Sequence, residues 1–200
     1  MKYFFSIIII SLIFSKVNAQ EFDREGAIVT KEGYLLYYNY ENPFTINLIG
    51  DVDFVKYPTI NIDGNLLEIN DIISEPFGET EEEILSNVMK WEINYLEDTF
   101  KQTLQSKNRL TQHNGRVINL WNFSNPALLS DFTDQYNQKA FYSDFYFREH
   151  VYRLAFMAFK GTEEEAKKIL LQYTDNIHFY NEQIDINKLR EAVMNGQNKY

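Results

Sequence analysis

Apolar residues recur along this chain with two different spacings, and the change from one to the other marks its elements. Alternation of period two runs through Gly26–Thr30, Tyr34–Tyr40 and Phe44–Ile49, which predicts strands. Asp51–Tyr57 fits neither spacing. Thr59–Ile62 and Asn65–Ile72 flank Asp63-Gly64, a dipeptide suited to the left-handed positions of a type I′ hairpin turn. After Pro76 and Gly78 the spacing turns helical. Leu85, Met89, Ile93, Leu96, Phe100 and Leu104 form a stripe that Ile84, Val88, Trp91 and Tyr95 widen. Thr80 followed by Glu83 has the form of a capping box, so a long helix is predicted over about 81–105. At 1.5 Å per residue it would run about 37 Å, enough to lie along strands of about ten residues.

The second half repeats the theme. Arg109–His113 and Arg116–Phe123 flank Asn114-Gly115, a strong hairpin signal. Asn125-Pro126 opens an excursion to Gln138 that reads as a loop. Two aromatic strands follow, QKAFYSDFYF and YRLAFMAFKG, joined across Arg148–Val151. Thr162 with Glu165 forms a second capping box, and Ala166, Ile169, Leu170, Tyr173 and Ile177 give a buried stripe, predicting a second helix over about 162–179. Ile186, Leu189 and Val193 mark a short weak helix before a polar tail.

The aromatic hairpin carries the sharpest reading. A turn at Glu149-His150 would set Arg148 opposite Val151 and Phe145 opposite Leu154. Phe141, Phe145, Phe147, Tyr152, Leu154, Phe156 and Ala158 then share one nearly all-apolar face. The other face collects Tyr142, Asp144, Tyr146, Arg153 and Met157, with Tyr146 across from Arg153 and Asp144 diagonal to it. Such a face is either a covered or solvated surface stabilised by cross-strand pairs, or a recognition surface, since Tyr, Arg and Met are enriched in interfaces. Those five residues are the candidate binding site.

Composition narrows the rest. Residues 1–19 carry a basic start, an apolar run and small residues at Val17 and Ala19, the pattern of a cleaved secretory signal. That run is broken by Ser6 and Ser11 and is short of the roughly 20 residues a membrane span needs. Residues 20–200 are then expected to form one domain with no membrane span, periplasmic or extracellular. Without Lys2 and Lys16 it holds 17 basic and 29 acidic residues, a formal charge of −12. That balance disfavours nucleic acid and anionic membrane surfaces. The absence of cysteine excludes disulfides and thiolate metal sites.

Catalytic patterns were sought among the remaining residues. His113, His150 and His178 include no i, i+4 helical pair, and the cluster Asn61, Asp63, Gly64, Asn65, Glu68 fails the spacing of a calcium loop. There is no G-x-S-x-G, P-loop or Rossmann glycine pattern. Glu81–Glu83 and Glu163–Glu165 occupy first helical turns, where the helix dipole favours negative charge. No catalytic residue, metal ligand or cofactor is assigned.

Runs of antiparallel strands with separated helices indicate an α+β domain, an antiparallel sheet with the two helices packed on it. The meander before Glu81, the long helix, the hairpin pair with FYSDFYF and VYRLAF, and the ending AKKILLQYTDNIHFY resemble the PsbP-like α/β/α sandwich family, over roughly residues 34–180. The resemblance implies that fold and an accessory, partner-binding role without catalysis. It maps no site residue by residue. The expectation is an exported, non-enzymatic domain binding a protein partner. The alternative is a carrier of a small apolar ligand in a cavity between helix and sheet, and a hydrolase with scattered carboxylates ranks below both.

Overall fold

A computed structural model describes residues 24–56, 59–73, 77–124, 139–157 and 161–196. The expected signal at 1–19, the excursion at 125–138 and the end of the tail, 197–200, lie outside the described residues. Eleven strands and three helices follow in the order β1 (Glu25–Val29), β2 (Gly33–Tyr38), β3 (Phe44–Ile49), β4 (Val52–Lys56), β5 (Thr59–Ile62), β6 (Asn65–Ile73), α1 (Glu81–Phe100), β7 (Gln105–His113), β8 (Arg116–Ser124), β9 (Lys139–Phe147), β10 (His150–Met157), α2 (Glu163–Asp175), β11 (Ile177–Phe179) and α3 (Ile186–Met194).

The fold is α+β, but its strands form two sheets where the sequence suggested one. A seven-stranded sheet has the order β4-β5-β6-β10-β9-β8-β7, and a four-stranded sheet the order β1-β2-β3-β11. The alternation that makes a strand amphipathic sorts the core. Ile118, Phe145, Leu154 and Leu67 point from the large sheet toward Leu36, Ile46 and Leu48 of the small sheet and toward Ala166 and Leu170 of α2. The opposite face of the large sheet carries Trp121, Phe123, Tyr142 and Ala155, which pack under Met89 and Ile93 of α1. Helix α3 lies on the outer face of the small sheet through Ile186 and Leu189 against Leu35 and Tyr37.

The capping boxes form as the sequence indicates. The Thr80 hydroxyl accepts from Glu83 N–H at 3.3 Å, and the Glu83 carboxylate accepts from Thr80 N–H at 3.4 Å. Thr162 and Glu165 repeat the arrangement at the start of α2. Both helices stop earlier than their apolar stripes suggest. Lys101 takes the left-handed conformation at φ 54° and ends α1, so Leu104 leaves the helix and is buried in the connection to β7. The Glu97 carboxylate accepts from Leu104 N–H at 2.7 Å, which fixes that exit. Helix α2 ends at Asp175, and Ile177–Phe179 pair with Phe44–Ile46 of β3 as β11.

The aromatic hairpin differs from its predicted register by two residues. Its turn is Arg148-Glu149, so His150 sits opposite Phe147, Tyr152 opposite Phe145 and Arg153 opposite Asp144. Arg148 and Glu149 both have positive φ, 48° and 66°, the type I′ shape usually given to Asn-Gly. A shift of two keeps every side chain on its predicted face. The described residues of the apolar and mixed faces therefore keep their expected sides and only the partners change, while Ala158 lies outside the described residues.

Candidate functional site

The mixed face of the hairpin lies beneath α1. Asp144 (0 % exposed) and Arg153 (4 % exposed) form a bidentate pair: Nε donates to Oδ1 at 2.8 Å and the terminal Nη2 to Oδ2 at 2.9 Å. Arg153 turns its remaining nitrogen to Glu92 of α1, donating at 2.9 Å. Trp121 of β8 donates its indole N–H to Asp144 Oδ2 at 2.8 Å. The Trp121 ring stacks on Tyr142 with centroids 3.8 Å apart and planes at 11°. The Arg153 guanidinium lies over both rings, at 5.0 and 5.4 Å.

Burial works against the charge on Arg153, but the Asp144 and Glu92 carboxylates outweigh it, and its pKa is raised. Burial likewise pushes the Tyr142 phenol up, with Arg153 opposing. The charged form of Arg153 and the neutral form of Tyr142 are thus both locked in. Such a network fixes helix to sheet and offers no free group for acid–base chemistry.

Three of the five residues proposed from sequence, Tyr142, Asp144 and Arg153, therefore come together but are closed off by α1. Tyr146 is half-buried against the cluster of Ile84, Leu85 and Val88, two residues along the strand from its expected partner Arg153. Met157 is the last residue of β10, and its side chain lies outside what the structure describes. Helix α1 covers this part of the sheet, and its Glu92 supplies the third member of the ion network.

What stands open on that side is the outer flank of α1. Trp91 and Tyr95, one turn apart, are 52 % and 57 % exposed, with rings stacked at 6.0 Å and planes 12° apart. The sequence reading placed both on the buried stripe. A helix turning about 100° per residue sets them on its margin, next to Ile84 and Val88, and that marginal position was the available signal.

The histidines serve three separate contacts. His113 Nε2 lies 2.9 Å from Asp175, which also accepts from Asn114 at 2.9 Å, so the β7–β8 turn is tied to the end of α2. His150 is not in the turn but opens β10, buried, with Nδ1 2.6 Å from Asp71. His178 is exposed on β11 and lines a cleft of about 730 Å³ on the outer side of the small sheet, together with Thr45, Asn47, Tyr180 and Lys31. Among the described residues no group of three His, Cys, Asp or Glu side chains is placed to hold a metal, and no helix is long and apolar enough to cross a membrane.

No protein-family model matches this chain, and no curated protein matches it. Among solved structures it is similar to the solution structure of cyanobacterial PsbP (CyanoP) from Synechocystis sp. PCC 6803. The two are 12 % identical, the match covers 76 % of this chain and 94 % of that one, and the TM-score is 0.48. That structure belongs to the family whose order of elements the sequence resembles; the likeness is one of fold.

Proposed function

We propose that this chain is an exported, non-enzymatic accessory domain that binds a protein partner through the outer flank of α1. Export rests on the signal pattern of residues 1–19, and the destination is the periplasm or the extracellular space. The observation that carries the binding role is the exposed Trp91–Tyr95 stack. A fully covered aromatic side chain buries about 150–250 Å², and roughly half of each of these two is still open to a partner. Trp and Tyr are also the residue types that dominate binding energy at interfaces. The pair is held ready on a regular helix, so little ordering is lost on binding.

Four of the five residues read from sequence take a supporting part in this reading. Asp144, Arg153 and Tyr142 hold α1 against the sheet and so set where the Trp91–Tyr95 stack stands, and Tyr146 packs under the first turns of the helix. The fitting partner presents an apolar pocket with a basic rim, because α1 is flanked by exposed Glu81, Glu82 and Asp98.

The test is affinity recovery of partners by wild type and by Trp91→Ala/Tyr95→Ala, followed by titration of the recovered partner. A drop in affinity of at least about tenfold is expected, as for loss of one interface anchor. Equal affinity of both forms would remove the helix flank from the reading. The carrier alternative gains no support here, because Met89, Ile93, Leu104, Trp121, Phe123 and Tyr142 fill the space between α1 and the sheet.

A further inference from the structure

The four sheet edges are not alike. Strands β1 and β4 are five residues long, β11 has three, and β4 shifts register between Phe54 and Lys56. Strand β7 is nine residues long and pairs with β8 from Gln105↔Ser124 to His113↔Arg116 without a shift. Proteins usually guard a long straight edge with a bulge, a proline, a covering segment or charge. Here Gln105–Leu110 are all exposed, and charge is the guard, from Lys107 and Arg109.

Hairpin geometry says which backbone groups face outward. A two-residue turn at Asn114-Gly115 makes His113 and Arg116 a hydrogen-bonded pair. Alternation then turns the N–H and C=O groups of Lys107, Arg109 and Thr111 toward β8. Those of Ser106, Asn108, Leu110 and Gln112 are left pointing away from the sheet. The side chains divide as well. Lys107 and Arg109 lie opposite Asn122 and Leu120, on the face that α2 shares. Leu110, 37 % exposed, lies opposite Asn119 on the α1 face.

Charge selects the occupant. The whole chain has a formal charge of −10, yet between Asp98 and Asp131 it holds Lys101, Lys107, Arg109 and Arg116 and no carboxylate. Among the described residues, the carboxylates hydrogen-bonded beside β7 stand at its ends: Glu97 is bonded to Leu104 N–H, and Asp175 is held by His113 and Asn114. Among the described residues neither Lys107 nor Arg109 makes an ion pair. A second copy is a poor fit in the registers that align its cations. Antiparallel self-pairing centred on Asn108 sets Lys107 against the copy's Arg109, and centring on Arg109 sets that residue against itself. Like charges directly opposite are destabilising.

We propose that β7 accepts an acidic, extended polypeptide segment as an added antiparallel strand. Alternate Asp or Glu side chains of the segment meet Lys107 and Arg109, and the apolar residues between them lie beside Leu110. Backbone hydrogen bonds from Ser106, Asn108, Leu110 and Gln112 supply the attachment, as in other strand-addition complexes.

A short synthetic peptide alternating valine and glutamate, with a valine–lysine counterpart, tests this on the purified protein. The glutamate peptide is expected to bind and to slow amide exchange at Ser106, Asn108, Leu110 and Gln112, leaving Lys107, Arg109 and Thr111 little changed. Lys107→Glu/Arg109→Glu should weaken it by at least about tenfold and admit the lysine peptide, since both side chains act through charge. Both are exposed, and an unchanged circular dichroism spectrum shows that the variant folds. Trp91→Ala/Tyr95→Ala should bind the glutamate peptide as wild type does, which separates this edge from the helix flank. Absence of binding, protection without the alternate pattern, indifference to charge reversal, or dependence on Trp91 and Tyr95 would each overturn the proposal.

Discussion

Asp144 and Arg153 stand directly opposite each other on β9 and β10, joined by bonds of 2.8 and 2.9 Å beneath α1. Neither side chain has meaningful contact with solvent. Two buried charges in that relation are worth less as a pair than either costs when left alone. Arg153→Met or Asp144→Leu should each destabilise the fold by about 3–5 kcal/mol, because each leaves the other group buried without its partner. The double variant Asp144→Leu/Arg153→Met should recover at least half of that loss. Urea unfolding of wild type, singles and double checks it. A double variant as unstable as the sum of the singles would mean that the two residues act independently.

The turn beside that pair has its own strain. Arg148 and Glu149 occupy left-handed backbone, which costs an L-residue with a Cβ roughly 1–2 kcal/mol. Arg148 has compensation: it donates to Tyr180 O at 3.1 Å and to the Asn181 side chain, and its guanidinium lies 4.9 Å from the Phe147 ring centre. Glu149→Gly relieves the same backbone strain and should stabilise by at most about 1 kcal/mol, less what the side chain's own contacts contribute, seen as a higher urea midpoint at unchanged slope. Arg148→Gly should gain less or lose stability. Equal gains from both would show that the Arg148 contacts contribute no more than those of Glu149.

This turn also shows where the sequence was legible and where it was not. Period-two alternation identified the two faces of the β9–β10 hairpin, and parity survives a two-residue error in register. The turn itself carries no Asn-Gly or Asp-Gly signal, so the sequence leaves its position open. At Asp63-Gly64 and Asn114-Gly115 the signal is present, and both turns fall where expected with positive φ. Polar edges were harder. Gln105–Asn108 alternates nothing apolar, so the start of β7 merged with the preceding helix stripe. Ile177 and Phe179 fit a helical stripe as well as a strand, and β11 became visible only through its pairing with β3. The candidate face was found because strong side-chain types sit on one side of a strand, but nothing local to it announces that a helix from elsewhere covers it.

Acid should loosen α2 at its start. The Thr162 backbone N–H, then its hydroxyl, hold the Glu165 carboxyl below its ordinary value of 4.5. A folded pKa below the unfolded one contributes stability above the unfolded value, lost as pH falls through the folded value. The first turn of α2 should thus lose amide protection as pH drops below about 4.5, with Glu165→Gln flattening the dependence in that window. Exchange rates at Glu163–Ala166 across the range give the reading. An unchanged slope in Glu165→Gln would assign the acid sensitivity to other carboxylates.

The two tryptophans offer the clearest contrast between fold and surface. Trp121 is 2 % exposed, stacked on Tyr142 and bonded to Asp144, whereas Trp91 is 52 % exposed and touches Tyr95 on the open flank of α1. Trp121→Ala should cost about 3–5 kcal/mol, from a large cavity. It also takes the indole donor away from a buried carboxylate. Trp91→Ala and Tyr95→Ala should each stay within about 0.5 kcal/mol of wild type, since exposed positions contribute little to folding. If the flank of α1 is a docking surface, these same two changes must weaken partner binding while the unfolding curve stays in place. A stability loss above about 1.5 kcal/mol in Trp91→Ala would instead make the exposed stack a structural element of α1, well beyond the usual range for a surface site.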